Sequence, residues 1–246
     1  MPILRGLKEV FRVFRDFRVF RDFRDLRKNG NKMSYQAIID YYYPEDNELR
    51  RLLLVHSRSV ADKALLICDR HPELGLDRDF VEAAAMLHDI GIRECDAPGI
   101  FCHGGRPYIQ HGLAGAEMIK ALCEDQGLRF KVQSSRFKVQ SSRVKVQGPA
   151  GESWLGALAR VCQRHTGAGI TRKEVVAQGL PLPLPDDDSE PYVPETLEEQ
   201  VICYADKFFS KTRPTEEKTY EQAERSLAKF GEGGLERFRA WRRKFE

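Results

Sequence analysis

Six residues of this 246-residue chain carry chemistry-bearing groups on faces that should be greasy. His56 shares a helical face with Leu49, Leu52, Leu53, Val60 and Ile67. His88 and Asp89 follow Phe80, Ala84 and Leu87 in the stretch MLHDIGI. His111 is in line with Gly115, Met118 and Leu122, His165 lies beneath Leu158, Val161 and Cys162, and Asp206 sits among Ile202, Ala205 and Phe209. A single histidine on an apolar face reads as a satisfied core residue. Six titratable groups spread over five helices do not, because each buried without a partner costs several kcal/mol. Imidazoles and carboxylates pointing inward from helices are how metal sites in bundles are built. Nitrogen and oxygen donors without thiolate favour Fe, Mn, Co or Zn over Mg or Ca.

The elements that must position these residues read as helices. Apolar spacing predicts helices over residues 46–70, 78–90 (closing at Gly91), 112–125 and 152–165. Thr196 and Glu199 form a capping box that opens a fifth, expected to run to residue 211. Polar amphipathic helices follow at 216–230 and 233–245. The segment 94–112 is a loop rich in Gly and Pro, and the proline-rich 180–194 cannot be helical. No strand stands out beyond a repeat at 129–147. The expected fold class is all-α.

Two segments are tandem repeats: FRVFRD, FRVFRD, FRDLRK at 11–28, and RFKVQSS, RFKVQSS, RVKVQ within 129–147. In the first, an aromatic or Leu every third residue drifts around a helix rather than forming a stripe. The expected organisation is a repetitive basic extension at 1–32 outside the core, then a helical bundle at 33–246 with 129–147 inserted as a loop. The net charge of +3 hides an asymmetry, since 1–32 and 129–147 each carry +6 and leave −9 for the rest. Nucleic-acid binding is therefore not expected from the charge. No apolar run is long enough for a membrane span and no signal-peptide core follows the start. The six scattered cysteines form no C-x-x-C pair, so reduced thiols and a cytoplasmic location are expected, and a zinc–thiolate site is not.

The motif MLHDIG resembles that of the HD-domain metal-dependent phosphohydrolases in the variant written HDIG. The family order H…HD…D is matched by His56, His88–Asp89 and Asp206 in ICYADKFF, and the resemblance spans about residues 46–211. YIQHG and QRHTG place His111 and His165 where dinuclear members carry ligands for a second metal. This extended pattern looks most like the bacterial HD hydrolases that split diadenosine tetraphosphate symmetrically. The loop around His103, the repeat insertion and the segment after residue 180 depart from that pattern and would flank a substrate.

The resemblance implies an HD-domain helical bundle holding one or two divalent ions (Fe, Mn, Co or Zn). His56, His88, Asp89 and Asp206 would hold one, with Asp89 bridging to a second held by His111 and His165. The implied reaction is hydrolysis of a phosphoester or phosphoanhydride of a nucleotide or other small phosphorylated metabolite by a metal-activated water. Asp89 and Asp206 carry catalytic roles in that reading, and His103 is the candidate general acid. Arg164, Lys207, Arg172 and Lys173 are the candidate phosphate-binding cations. No nucleic-acid or membrane partner is expected, and a homo-oligomer is left open. Two other readings stand beside it: an HD-fold di-iron oxygenase using the same ligand set, and a non-catalytic metal- or ligand-binding HD module.

Overall fold

The computed structural model describes the backbone of residues 34–133 and 153–246, and the side chains of 34–122 and 153–246. The repeat at 11–28 and most of that at 129–147 lie outside the described residues. The chain divides after Pro44. Before that point is α1 (Tyr35–Tyr42), capped by the Ser34 hydroxyl, which accepts from the Ala37 amide.

From Glu45 on, the fold is all-α. It comprises α2 (Glu48–Arg70), α3 (Arg78–Leu87), α4 (His111–Gln133), α5 (Trp154–Arg164), α6 (Arg172–Gln178), α7 (Leu197–Asp206), α8 (Tyr220–Ala228) and α9 (Glu232–Phe245). Several helices start where a side-chain oxygen takes an orphan backbone N–H. Asn47 caps α2, Asp77 caps α3 and Ser153 caps α5. The expected Thr196–Glu199 capping box opens α7.

Helix α2 packs along α3 and crosses α7, while α4 packs along α5 and against a 3-10 turn at Ile90–Glu94. Leu53, Val60, Leu87, Ile90, Ile119, Leu158 and Ile202 fill the space between them and are fully buried. A second layer of rings clamps α7 from the C-terminal side. Tyr204 lies 5.0 Å from Phe238 and 5.1 Å from Phe208, and Tyr220 stacks on Phe238 at 5.2 Å.

Several expectations are corrected. Helix α3 ends at Leu87 and passes into the 3-10 turn, so Gly91 does not close it. Helix α4 continues to Gln133, into the first residues of the repeat, because no proline interrupts that stretch. Helix α7 stops at Asp206, five residues short of the expected end. The loop at 94–112 holds a small antiparallel pair, β1 (Asp96–Ala97) with β2 (Cys102–His103). Helix α6 was not foreseen. Thr171 and Glu174 open it with a capping box, and Gly179 closes it in the left-handed region at φ 59°.

The proline-rich segment is non-helical as expected. Leu182 and Tyr192 are nonetheless buried with Ile170 and Val175, so the excursion packs down over α6. The cysteines described (68, 95, 102, 162 and 203) are free thiols. No helix among the described residues is long and apolar enough to cross a membrane.

Candidate metal centre

Helix ends deliver the histidines. His88 follows the last residue of α3, His165 follows the last residue of α5, and His111 is the first residue of α4. The last carbonyls of a helix lack intrahelical partners, and the rings use them. The Nδ1–H of His88 donates to the Ala85 carbonyl at 2.6 Å, and that of His165 donates to Cys162 at 2.7 Å. His111 does the same to Tyr108 at 2.7 Å. A neutral imidazole that gives its Nδ1–H away leaves an unprotonated Nε2, a ligand-ready lone pair.

Close backbone approach sets the spacing. A Cβ on Gly91 would overlap the backbone nitrogen of Gly115 and the carbonyl oxygen of His111. One on Gly112 would collide with the Cys162 carbonyl and the Thr166 hydroxyl. The glycines of HDIG and of QHG are therefore what let the end of α3, the start of α4 and the end of α5 meet. His88, His111 and His165 arrive at one point as a result.

The six residues form two groups that share Asp89. Asp89 Oδ2 lies 3.1 Å from His56 Nε2 and 3.2 Å from His88 Nε2. Asp206 Oδ1 completes that group at 3.1 Å from His56 Nε2 and 3.5 Å from His88 Nε2. Asp89 Oδ1 faces the other way, 3.3 Å from His165 Nε2 and 3.5 Å from His111 Nε2. All six are buried.

Packing alone leaves this arrangement unsatisfied. Both carboxylate oxygens of Asp89 and the Nε2 of His88 are within ion-pair distance of neighbours, yet none has a hydrogen bond. The Nε2 atoms of His111 and His165 are 2.9 Å apart. Two neutral rings whose other nitrogens both donate elsewhere bring two lone pairs together there. A divalent cation between these donors resolves both problems, so the residues present fit a metal.

The electrostatics agree. Burial opposes ionisation of Asp89, but the charges of Lys211 and His88 outweigh it and hold its carboxyl well below the usual range. For Asp206, the charge of Lys207 and the neighbouring His56 and His88 likewise outweigh burial and hold the carboxyl well below the usual range. Burial would pull His88 down, but Asp89 and Asp206 push it up to about 9. Burial, helped by His165, pulls His111 down to about 3.

The candidate cations divide. Lys207 reaches the centre: its Nζ lies 2.6 Å from Asp206 Oδ2 and donates to the His165 carbonyl at 3.2 Å. Arg164 does not. Its guanidinium is 2.7 Å from Glu195 and 3.2 Å from Glu199, and Arg160 braces the same Glu199 at 2.8 Å. Arg172 donates to the carbonyls of Pro185 and Ser189 and so pins the proline-rich segment. Lys173 is exposed on α6, and His103 is exposed on β2, paired with Asp96 outside both ligand groups.

Sequence reasoning missed Lys211. Its Nζ is 2.6 Å from Asp89 Oδ2, and the neighbouring Asp89, Tyr108 and Asp206 outweigh burial to keep it protonated. Had α7 run to residue 211, Lys211 would lie about 140° around the helix from Asp206. The helix instead stops at Asp206, and tight turns (Phe208 N–H to Ala205, Phe209 N–H to Asp206) fold the chain back. Tyr108 was missed too, and it stacks on His111 at 4.7 Å. A cavity of about 470 Å³ opens onto the centre, with Tyr108, His111, Asp206, Lys207 and Lys211 at that end.

Residues 53–210 match the family model of the HD domain, so this chain belongs to the HD-domain family, a superfamily of metal-dependent phosphohydrolases. It is 32% identical over 189 residues to a protein named tRNA (cytidine(56)-2'-O)-methyltransferase from Picrophilus torridus, covering 74% of this chain and 40% of that one. A protein of the same name from Thermoplasma volcanium is 28% identical over 158 residues, 64% of this chain and 32% of that one. An uncharacterised protein of Methanocaldococcus jannaschii is 28% identical over 169 residues, 65% of this chain and 72% of that one. The chain thus spans less than half the length of the two relatives named as methyltransferases. No solved structure matches.

Proposed function

We propose that this chain is a metal-dependent phosphohydrolase acting on a small phosphorylated substrate, with two divalent transition-metal ions (Fe, Mn, Co or Zn) sharing Asp89. The observation that carries the reading is the split of the Asp89 carboxylate, Oδ2 toward His56 and His88 and Oδ1 toward His111 and His165. His56, His88, Asp89 and Asp206 would hold one ion, and Asp89, His111 and His165 the other. Bound there, the ions supply Lewis acidity for water and for the phosphoryl oxygens.

The protein's own groups do the rest. Lys207 and Lys211, which line the cavity beside the ligands, orient the phosphoryl group and offset its charge. Asp206 is placed to take a proton from the attacking water, since it faces both the cavity and the His56–His88 group. Water oxygen adds to phosphorus, the P–O bond to the leaving group breaks, and the leaving oxygen takes up the proton that Asp206 received from the water.

The test is turnover of a panel of nucleotides, sugar phosphates and phosphoanhydrides by protein loaded in turn with Mn, Fe, Co and Zn. Metal content is determined on the same sample. Hydrolysis that tracks metal occupancy supports the reading, and full occupancy with no phosphoester or anhydride cleaved overturns it. The activity in the name of two relatives, 2'-O-methyl transfer to a tRNA cytidine, is a second reading favoured only by the identity to those proteins. A methyl-transfer assay on transfer RNA checks it.

A further inference from the structure

The cavity beside the centre has two chemically different ends. Lys207 and Lys211 stand at the ligands, Lys218 donates to the Lys207 carbonyl, and Ile170, Leu180, Leu227 and Phe230 are among the apolar residues of the wall. Several polar side chains on the wall carry internal hydrogen bonds, while Thr166 and the Gln178 carbonyl add two polar groups. Glu174 accepts from Thr171 and from Arg237, the Gln178 amide donates to the Phe230 carbonyl, and the Ser226 hydroxyl donates to the Gln222 carbonyl. Small residues (Gly167, Ala168, Gly169 and Gly234) keep the wall thin, and Phe230 stands 70% exposed at the rim.

A nucleobase or sugar is recognised through donors and acceptors on its edges, and a predominantly apolar wall offers few of them. From this division of charge and polarity we infer that the site takes a phosphomonoester whose other end is an apolar hydrocarbon group. The inference rests on the phosphohydrolase reading for its anionic end, and on the cavity wall alone for its apolar end. At about 470 Å³ the chamber is of the size that encloses a small ligand. The balanced reaction is R–O–PO₃²⁻ plus water giving R–OH and hydrogen phosphate.

Binding is measured first, by calorimetry on the full metal-loaded chain, with alkyl phosphonates from ethyl to hexyl and with AMP as competitor. Affinity is expected to rise about fourfold per added methylene until the chamber is filled, with AMP at least tenfold weaker than hexylphosphonate. Phe230→Asp and Leu227→Asp should flatten the chain-length series, while Phe230→Leu preserves it. Turnover is then compared among hexyl phosphate, ribose 5-phosphate and AMP, all esters of primary alcohols. Hexyl phosphate should have the highest kcat/KM by at least tenfold.

Equal or better binding of AMP, or a flat series in the wild-type chain, overturns the apolar-tail inference even if AMP is hydrolysed. A steep phosphonate series with no turnover of any ester overturns the phosphohydrolase reading and leaves the binding inference standing.

Discussion

The Nε2 atoms of His111 and His165 face each other at 2.9 Å, and each ring has already given its Nδ1–H to a backbone carbonyl. Two neutral acceptors in contact are repulsive unless a cation or a proton sits between them. Burial and the neighbouring ring make the proton costly at His111, whose pKa is pulled to about 3. Protein purified without chelator should therefore carry two transition-metal ions per chain, and His111→Ala should carry one. Elemental analysis reads the ratio. Metal at a hundredfold excess over its Kd stabilises by about 2.7 kcal/mol. Chelation should then lower Tm by about 5–10 °C for a domain this size.

Lys211 and a metal ion compete for Asp89. The ammonium lies 2.6 Å from Oδ2, and a second cation there meets its charge. Lys211→Met should bind metal more tightly, by about tenfold, since one charge removed at short range is worth on the order of 1 kcal/mol. The same variant should lose at least tenfold in kcat/KM. A fall in metal affinity instead would make Lys211 a purely structural partner of Asp89.

The centre also sets a pH dependence. The pKa of His88 is raised to about 9, so at neutral pH the metal-free protein holds a proton where a metal would bind. Metal binding must release it, and apparent affinity should rise up to about tenfold per pH unit from pH 6 to 8. For the metal-free fold the sign is opposite. A raised histidine stabilises fully below its unfolded value near 6.5 and loses that contribution as pH rises through 9. His111, pulled to about 3, costs stability as pH falls below about 6.5, because the unfolded chain takes up the proton first. Metal-free protein should thus be most stable near pH 6.5 by urea titration. Metal should extend the plateau upward.

Arg164 belongs to a buried brace. With Arg160 it clasps Glu199, which is 3% exposed and also caps the start of α7. Arg164→Met should cost about 1.5 kcal/mol, the loss of a hydrogen bond to a charged group, because Arg160 still pairs Glu199. KM for a phosphorylated substrate should stay within twofold. A large rise in KM at unchanged stability would restore the phosphate-binding role expected from its place beside His165.

How much of this was legible in the sequence follows from what is local. The start of α7 was, because the capping-box residues Thr196 and Glu199 are three apart, although the same spacing at Thr171 and Glu174 opens the unexpected α6. The six inward residues were legible too, because a histidine or aspartate interrupting an apolar stripe at helical spacing has to point at something. Family motifs added their order. The place where α7 stops was less visible, since nothing at Asp206 resembles a stop signal and the chain turns there through backbone bonds alone. With that boundary went Lys211.

The sequence by itself determined which residues turn inward and that they are nitrogen and oxygen donors, because helical periodicity and side-chain chemistry are properties of short stretches. Only the tertiary structure decided that Asp89 divides its two oxygens between two histidine pairs. It also decided that Arg164 and Arg172 turn away while Lys211 turns in, and that Gly91 is demanded by contact with the backbone of His111 and Gly115. Those outcomes depend on distances between segments up to 150 residues apart. Such distances are fixed by close packing of helix against helix, which no local pattern encodes.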